Sequence, residues 1–111
     1  MVQKRTSFNF FRLLKEREEK DEVPMEDLEI LRKRLLYQSQ HRGMREMDFL
    51  LGGFAQNHLN LMSLNEIKQF EILLAFPDQD LYGWFFEEIP FPQNAPSFII
   101  KMIQEYATQL S

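Results

Sequence analysis

Arg34-Leu-Leu-Tyr-Gln-Ser-Gln-His-Arg-Gly-Met-Arg-Glu-Met-Asp48 leads out of one amphipathic helix and into another through a single Arg-Gly step. Leu28, Leu31 and Leu35 recur at helical spacing around its start, and Met47, Leu50, Leu51 and Phe54 do so at and beyond its end. Gly43 falls where a chain leaving a helix turns left-handed, a backbone that costs glycine little and other residues about 1 kcal/mol or more. The spacing therefore predicts a helix over 25–40, a break at Gly43 and a second helix after it. Arg42, Arg45, Glu46 and Asp48 crowd the break. A helix turn needs none of these charges. One reading is an intrachain Arg42–Glu46 pair across the hinge, worth a few tenths of a kcal/mol. The other is an exposed recognition patch, in which Arg42→Ala would melt normally and lose its partner. The residues alone leave both open.

Downstream, the segments also read as helices. Gly52-Gly53 weakens the second, at about 1 kcal/mol per interior Gly relative to Ala, which points to close helix packing or an early frayed end. That helix is expected to fade at Gln56-Asn57-His58. Ser63-Leu-Asn-Glu66 fits a capping box, with Met62 and Ile67 as its hydrophobic staple, and Ile67, Phe70, Leu73 and Leu74 form the face of a third helix that Pro77 stops. Asp78 is positioned to cap a short fourth helix running through Glu88. Pro90-Phe-Pro92 must be extended. A fifth helix begins between Asn94 and Ser97, with Ile99, Ile100, Ile103, Tyr106, Ala107 and Leu110 at intervals of three and four. No run alternates with period two over strand length. The expected fold is all-α, a small single-domain bundle of about five helices with short connections. Its core is expected to hold Leu31, Leu35, Leu51, Phe54, Phe70, Leu74, Trp84 and Ile103.

Composition narrows the function. A chain of 111 residues with 44% apolar content makes one domain without metal or disulfide. With no Cys there is no disulfide scaffold, thiolate zinc site or thiol nucleophile. No apolar run approaches the roughly 20 residues of a membrane span. A net charge of −4 disfavours nucleic acid. Within residues 1–23, Lys4, Arg5, Arg12 and Lys15 are interleaved with Phe8, Phe10, Phe11, Leu13 and Leu14, in the manner of a transit peptide, before Glu16, Glu18 and Glu19 interrupt. They are read as a mobile extension ahead of a domain over 24–111, in a monomer of the bacterial cytoplasm, with the mitochondrial matrix as the alternative.

Enzyme chemistry finds little footing. His41 and His58 lack the i+3 or i+4 partners of a helical metal site, so they read as surface polar residues and no metal is expected. Gly52-Gly53 has no following Lys-Ser/Thr and no preceding strand, so it is not a phosphate loop. Asp78/Asp80 and Glu87/Glu88 are accounted for by a cap and a solvated face, with no nucleophile beside them. A helix-turn-helix reading would make the second helix the recognition helix, yet its exposed face offers Glu46, Asp48, Gln56 and Asn57 to phosphate. The chain is read as non-catalytic.

The stretch Arg32–Phe54, with Arg42-Gly43-Met44-Arg45-Glu46 at its centre, resembles the start of the SdhE-type succinate dehydrogenase assembly factors, whose hallmark is Arg-Gly-x-x-Glu. Phe70-Glu-Ile-Leu-Leu-Ala-Phe-Pro-Asp-Gln-Asp-Leu-Tyr-Gly-Trp84 is similar to that family's Phe-Glu-x-Leu-Leu followed by Asp-x-Asp-Leu-x-x-Trp. The resemblance implies an assembly chaperone that binds the flavoprotein subunit of succinate dehydrogenase, and of fumarate reductase in the wider family. It would promote covalent attachment of FAD to a histidine of that partner and hold no cofactor stably itself. It also implies that Arg42, Gly43 and Glu46 face the partner, with Arg45, Asp48 and Tyr37 as neighbouring contacts. The alternative class is an antitoxin-like or regulatory interaction module, the role given to some members of the family.

Overall fold

A computed structural model describes residues 25–110. The expected extension over 1–23, and the boundary that follows it, lie outside the described residues. The chain divides at Ile30/Leu31 into two compact units, and the core and the site described below both belong to the second. Five helices and no strand occur among the described residues, in agreement with the all-α expectation.

Helix α1 spans Met25–Gln40, and the chain leaves it through Gly43 at φ +98°, the left-handed turn its sequence calls for. Helix α2 covers 45–58 in three joined pieces, an opening turn Arg45–Met47, a π-helical turn Asp48–Gly52 and an α-helical end Gly53–His58. Backbone angles stay helical at both joins, with φ/ψ of −59°/−41° at Asp48 and −65°/−43° at Gly53. The helix ends at His58, within the polar stretch expected to end it, and the last two of those side chains bond or stack back on their own helix. Asn57 donates to the Gly53 carbonyl at 2.8 Å, and His58 stacks on Phe54 with centroids 4.6 Å apart. A 3₁₀ turn, Leu59–Leu61, follows.

The paired glycines serve close packing. A Cβ on Gly52 would lie 3.2 Å from both the Gln40 Cα and the Ser39 carbonyl, and one on Gly53 would collide with the Tyr106 hydroxyl. Only at glycine can the end of α1 lie directly on the backbone of α2, and this contact sets the angle of the α1–α2 corner.

Helix α3, Leu64–Leu74, opens on the capping box in full. The Glu66 amide donates to Ser63 Oγ at 3.2 Å and the Ser63 amide donates to Glu66 Oε1 at 2.9 Å. Met62 and Ile67 are both buried, as a staple requires. Ser63→Ala is expected to cost about 1 kcal/mol, read as a lowered thermal midpoint; an unchanged midpoint would show that the box contributes nothing. Helix α4, Asp78–Phe86, begins with Pro77 in the N-cap position, so Asp78 is its first helical residue and not its cap. It stops two residues short of the expected end, since Glu87 leaves helical geometry and Glu88 takes φ 60°. Helix α5 is Ser97–Gln109.

Leu35, Leu51, Phe54, Phe70, Leu74 and Ile103 are buried as expected, beside Met47, Ile67, Leu73, Leu81 and Ile99. Leu31 and Trp84 are only half-buried. Trp84 meets Phe76 edge-on at 5.0 Å and Phe91 at 5.6 Å, in an aromatic cluster fed by the extended connection, while Leu81 and Gly83 take the inner face of α4. Helix α3 packs on α5, and the opening turn of α2 packs on α4. That last contact brings the Arg-Gly corner to the α3–α4 junction.

Candidate functional site

The C-terminus of α3 presents carbonyls that its own helix cannot satisfy. Those of Ile72 and Leu73 accept from the amides of Ala75 and Phe76 at 3.2 and 3.1 Å. The Leu74 carbonyl has no such option, because three residues on stands Pro77, which has no N–H. Arg42 supplies the missing donor from the opposite side of the corner. Its Nη1 donates to the Leu74 carbonyl at 2.5 Å, its Nη2 to the Phe76 carbonyl at 2.7 Å and its Nε to Asp78 Oδ1 at 2.6 Å. A cation thus sits at the negative end of α3 while its counter-ion sits at the positive end of α4, and both helix dipoles favour the pair. The side chains are 12% and 22% exposed, so water screens this ion pair less than a surface one.

Two expectations for Arg42 are thereby corrected. It does not pair with Glu46, and its side chain is largely buried, with Nε, Nη1 and Nη2 each bonded within the chain. Asp48 is likewise turned inward. Its Oδ1 accepts the Arg42 backbone N–H at 2.6 Å, while its own amide donates to the Met44 carbonyl at 2.9 Å, closing the turn from both ends.

What remains outward is a compact surface. Gly43 is exposed, with no atom within 4 Å of where a Cβ would stand. Arg45 and Glu46 are exposed, and their side chains make no hydrogen bond or ion pair among the described residues. Phe49, which sequence reading passed over, is 66% exposed one helical turn further on. The signal was available: Phe49 stands four residues from Arg45 and three from Glu46, outside the Met47–Leu50–Leu51–Phe54 stripe. Tyr37, 64% exposed, stacks on His41 with centroids 4.0 Å apart. Those two line an open depression of about 560 Å³ with Gln38, Arg42, Leu74 and Asp78. Glu71, on the same wall, pairs with Arg34.

The histidines divide. His41 is exposed and hydrogen-bonds the Tyr37 carbonyl through Nδ1 at 2.8 Å, as a surface residue does, whereas His58 is half-buried between Phe54 and Tyr106. Among the described residues no three acidic or histidine side chains come together as a metal site, and no helix is long and apolar enough to cross a membrane.

Residues 33–107, which contain the whole of this corner, match the family model described as flavinator of succinate dehydrogenase. A mitochondrial succinate dehydrogenase assembly factor 2 of Dictyostelium discoideum is 35% identical over 72% of this chain and 57% of its own length. The protein of the same name in Scheffersomyces stipitis is 42% identical over 74% of this chain and 58% of its own. An FAD assembly factor SdhE of the bacterium Acetobacter pasteurianus is 31% identical over 75% of this chain and 76% of its own. The chain thus spans little more than half the length of the mitochondrial relatives. No solved structure matches it significantly.

Proposed function

Since the chain belongs to the family of flavinators of succinate dehydrogenase, we propose that it is an assembly chaperone that binds the flavoprotein subunit of that enzyme and promotes covalent attachment of FAD to it. In this reading the reacting histidine and the flavin both belong to the partner, and this chain holds neither. Its contribution is geometric. By binding one arrangement of the flavoprotein better than the others it raises the fraction of time in which histidine and flavin are within bonding reach, which accelerates the joining without a catalytic group of its own. The flavoprotein of fumarate reductase is a second client on the same argument.

One observation carries the reading: a glycine with open space over its Cα, followed at once by Arg45, Glu46 and Phe49, all exposed and with both charges unpartnered within the described chain. A backbone without a side chain lets another backbone approach closely. A phenylalanine and an arginine beside it are among the residue types enriched at the buried centre of interfaces. Glu46→Lys tests the assignment. An exposed, unpaired position should change stability by no more than about 0.5 kcal/mol. Covalent flavin fluorescence on the flavoprotein, in cells whose only factor is this variant, should fall to the level of cells with none. Full flavinylation by a stable Glu46→Lys protein would remove Glu46 from the site.

A further inference from the structure

We propose that Asp78 is a positioning residue for the docking corner, acting through Arg42; this rests on the reading of Gly43 and Glu46 as the surface that meets the partner. The same property that suits Gly43 to close approach makes it a poor determinant of shape. It has no side chain, and nothing lies within 4 Å of where one would begin. The corner must therefore be stiffened by its neighbours. Asp48 does so by accepting the Arg42 amide. Arg42 does so through a planar guanidinium whose orientation is fixed only if both of its edges are held.

The Nη edge is held by the Leu74 and Phe76 carbonyls. Asp78 alone, among the described residues, holds Nε, and it alone supplies the opposite charge. Without it, the guanidinium keeps two neutral acceptors on one side and is free to pivot about them. That freedom passes to the backbone of residues 42 and 43. Asp78 lies 36 residues away in sequence and belongs to the second of the two motifs, at the start of α4. Asp80, in the same turn of α4, is exposed and has no such bond, so it provides the internal comparison.

The test uses the full chain below its melting temperature, with two readouts: affinity for the isolated flavoprotein subunit, and amide hydrogen exchange in the free chain. Asp78→Ala should weaken binding about tenfold or more, as for a residue that orders a contact surface. It should also speed exchange of the Arg42 amide by about the same factor while the amides of α5 are unchanged, since the loosening is local. Asp78→Asn keeps an oxygen for Nε and loses the charge, so its effect should fall between Asp78→Ala and the parent. Asp80→Ala should stay within about twofold on both readouts.

Parental binding by folded Asp78→Ala, or weakened binding with an unchanged Arg42 amide, overturns the inference. If Asp78→Ala does not fold, Asp78→Asn decides in its place: parental values on both readouts overturn the inference, and intermediate ones support it. Glu46→Ala separates the two proposals. Undiminished binding by that variant removes the docking surface, whereas the exchange rate in the free chain still reports whether Asp78 fixes the corner.

Discussion

Arg42→Ala is expected to lower the free energy of unfolding by about 3 kcal/mol, because it removes one partner of a largely buried ion pair and strands several polar groups together. The Leu74 carbonyl loses a donor that Pro77 cannot replace, the Phe76 carbonyl loses another, and Asp78, 22% exposed, loses its counter-ion. For a domain of this size the thermal midpoint should drop by about 10 °C or more. Arg42→Lys should recover less than half of the loss, since an ammonium carries the charge but cannot reach two carbonyls and a carboxylate that lie along the edges of one plane. Chemical denaturation of the three proteins decides it; an Arg42→Ala unfolding free energy within about 0.5 kcal/mol of the parent would mean that water serves these groups as well as arginine does. The expectation from sequence was the reverse, a variant that melts normally. Loss of function in Arg42→Ala is therefore no evidence that Arg42 touches a partner.

Gly43→Arg should separate stability from function in the opposite sense. The left-handed backbone at φ +98° penalises any side chain by about 1–2 kcal/mol, while the space around it is open and adds no clash. The protein should fold, with a midpoint lower by about 4–12 °C. A long cation would then stand on the surface proposed to receive the partner's backbone, and binding should weaken by about a hundredfold or more, the cost of a clash and an unpaired charge at the centre of an interface. Flavinylation of the partner should fall with it. Gly43→Ala is the companion measurement: the same backbone penalty with only one added carbon, so retained binding there assigns the loss in Gly43→Arg to obstruction. Parental affinity in Gly43→Arg would place the docking surface elsewhere.

Much of this architecture is legible in the chain because it is local. Ser63-x-x-Glu66 states its own capping geometry, Pro77 and Gly43 state where helices cannot continue, and the three-to-four spacing of Leu73, Leu74, Ile99 and Ile103 states which faces meet. The same periodicity misplaced Trp84, because its neighbours Phe76 and Phe91 reach it through connections that follow no period. It missed the π turn for a related reason: one extra residue per turn shifts the helical phase and leaves no compositional mark. The site was found in position but not in polarity. Arg42, Asp48, Arg45 and Glu46 look alike as charges on a hinge, and only the fold tells the inward pair from the outward one. Pro77 did hold a clue, since a proline three residues past a carbonyl announces that some distant donor must come to it.

The corner that looks most local in this chain depends on distant partners. Gly43, Arg45 and Glu46 are near neighbours, yet the three bonds that hold Arg42 in place span 32, 34 and 36 residues. None can form before α3 has ended and α4 has begun. During synthesis the Arg-Gly segment emerges well before its anchors, and in refolding it must wait for loop closures that come after the local helices. The surface proposed to meet the flavoprotein would therefore also report on the maturity of the protein that carries it. A truncated or half-folded copy would display the same residues in sequence without their arrangement, and on the proposed function should not compete with the finished chain for its partner.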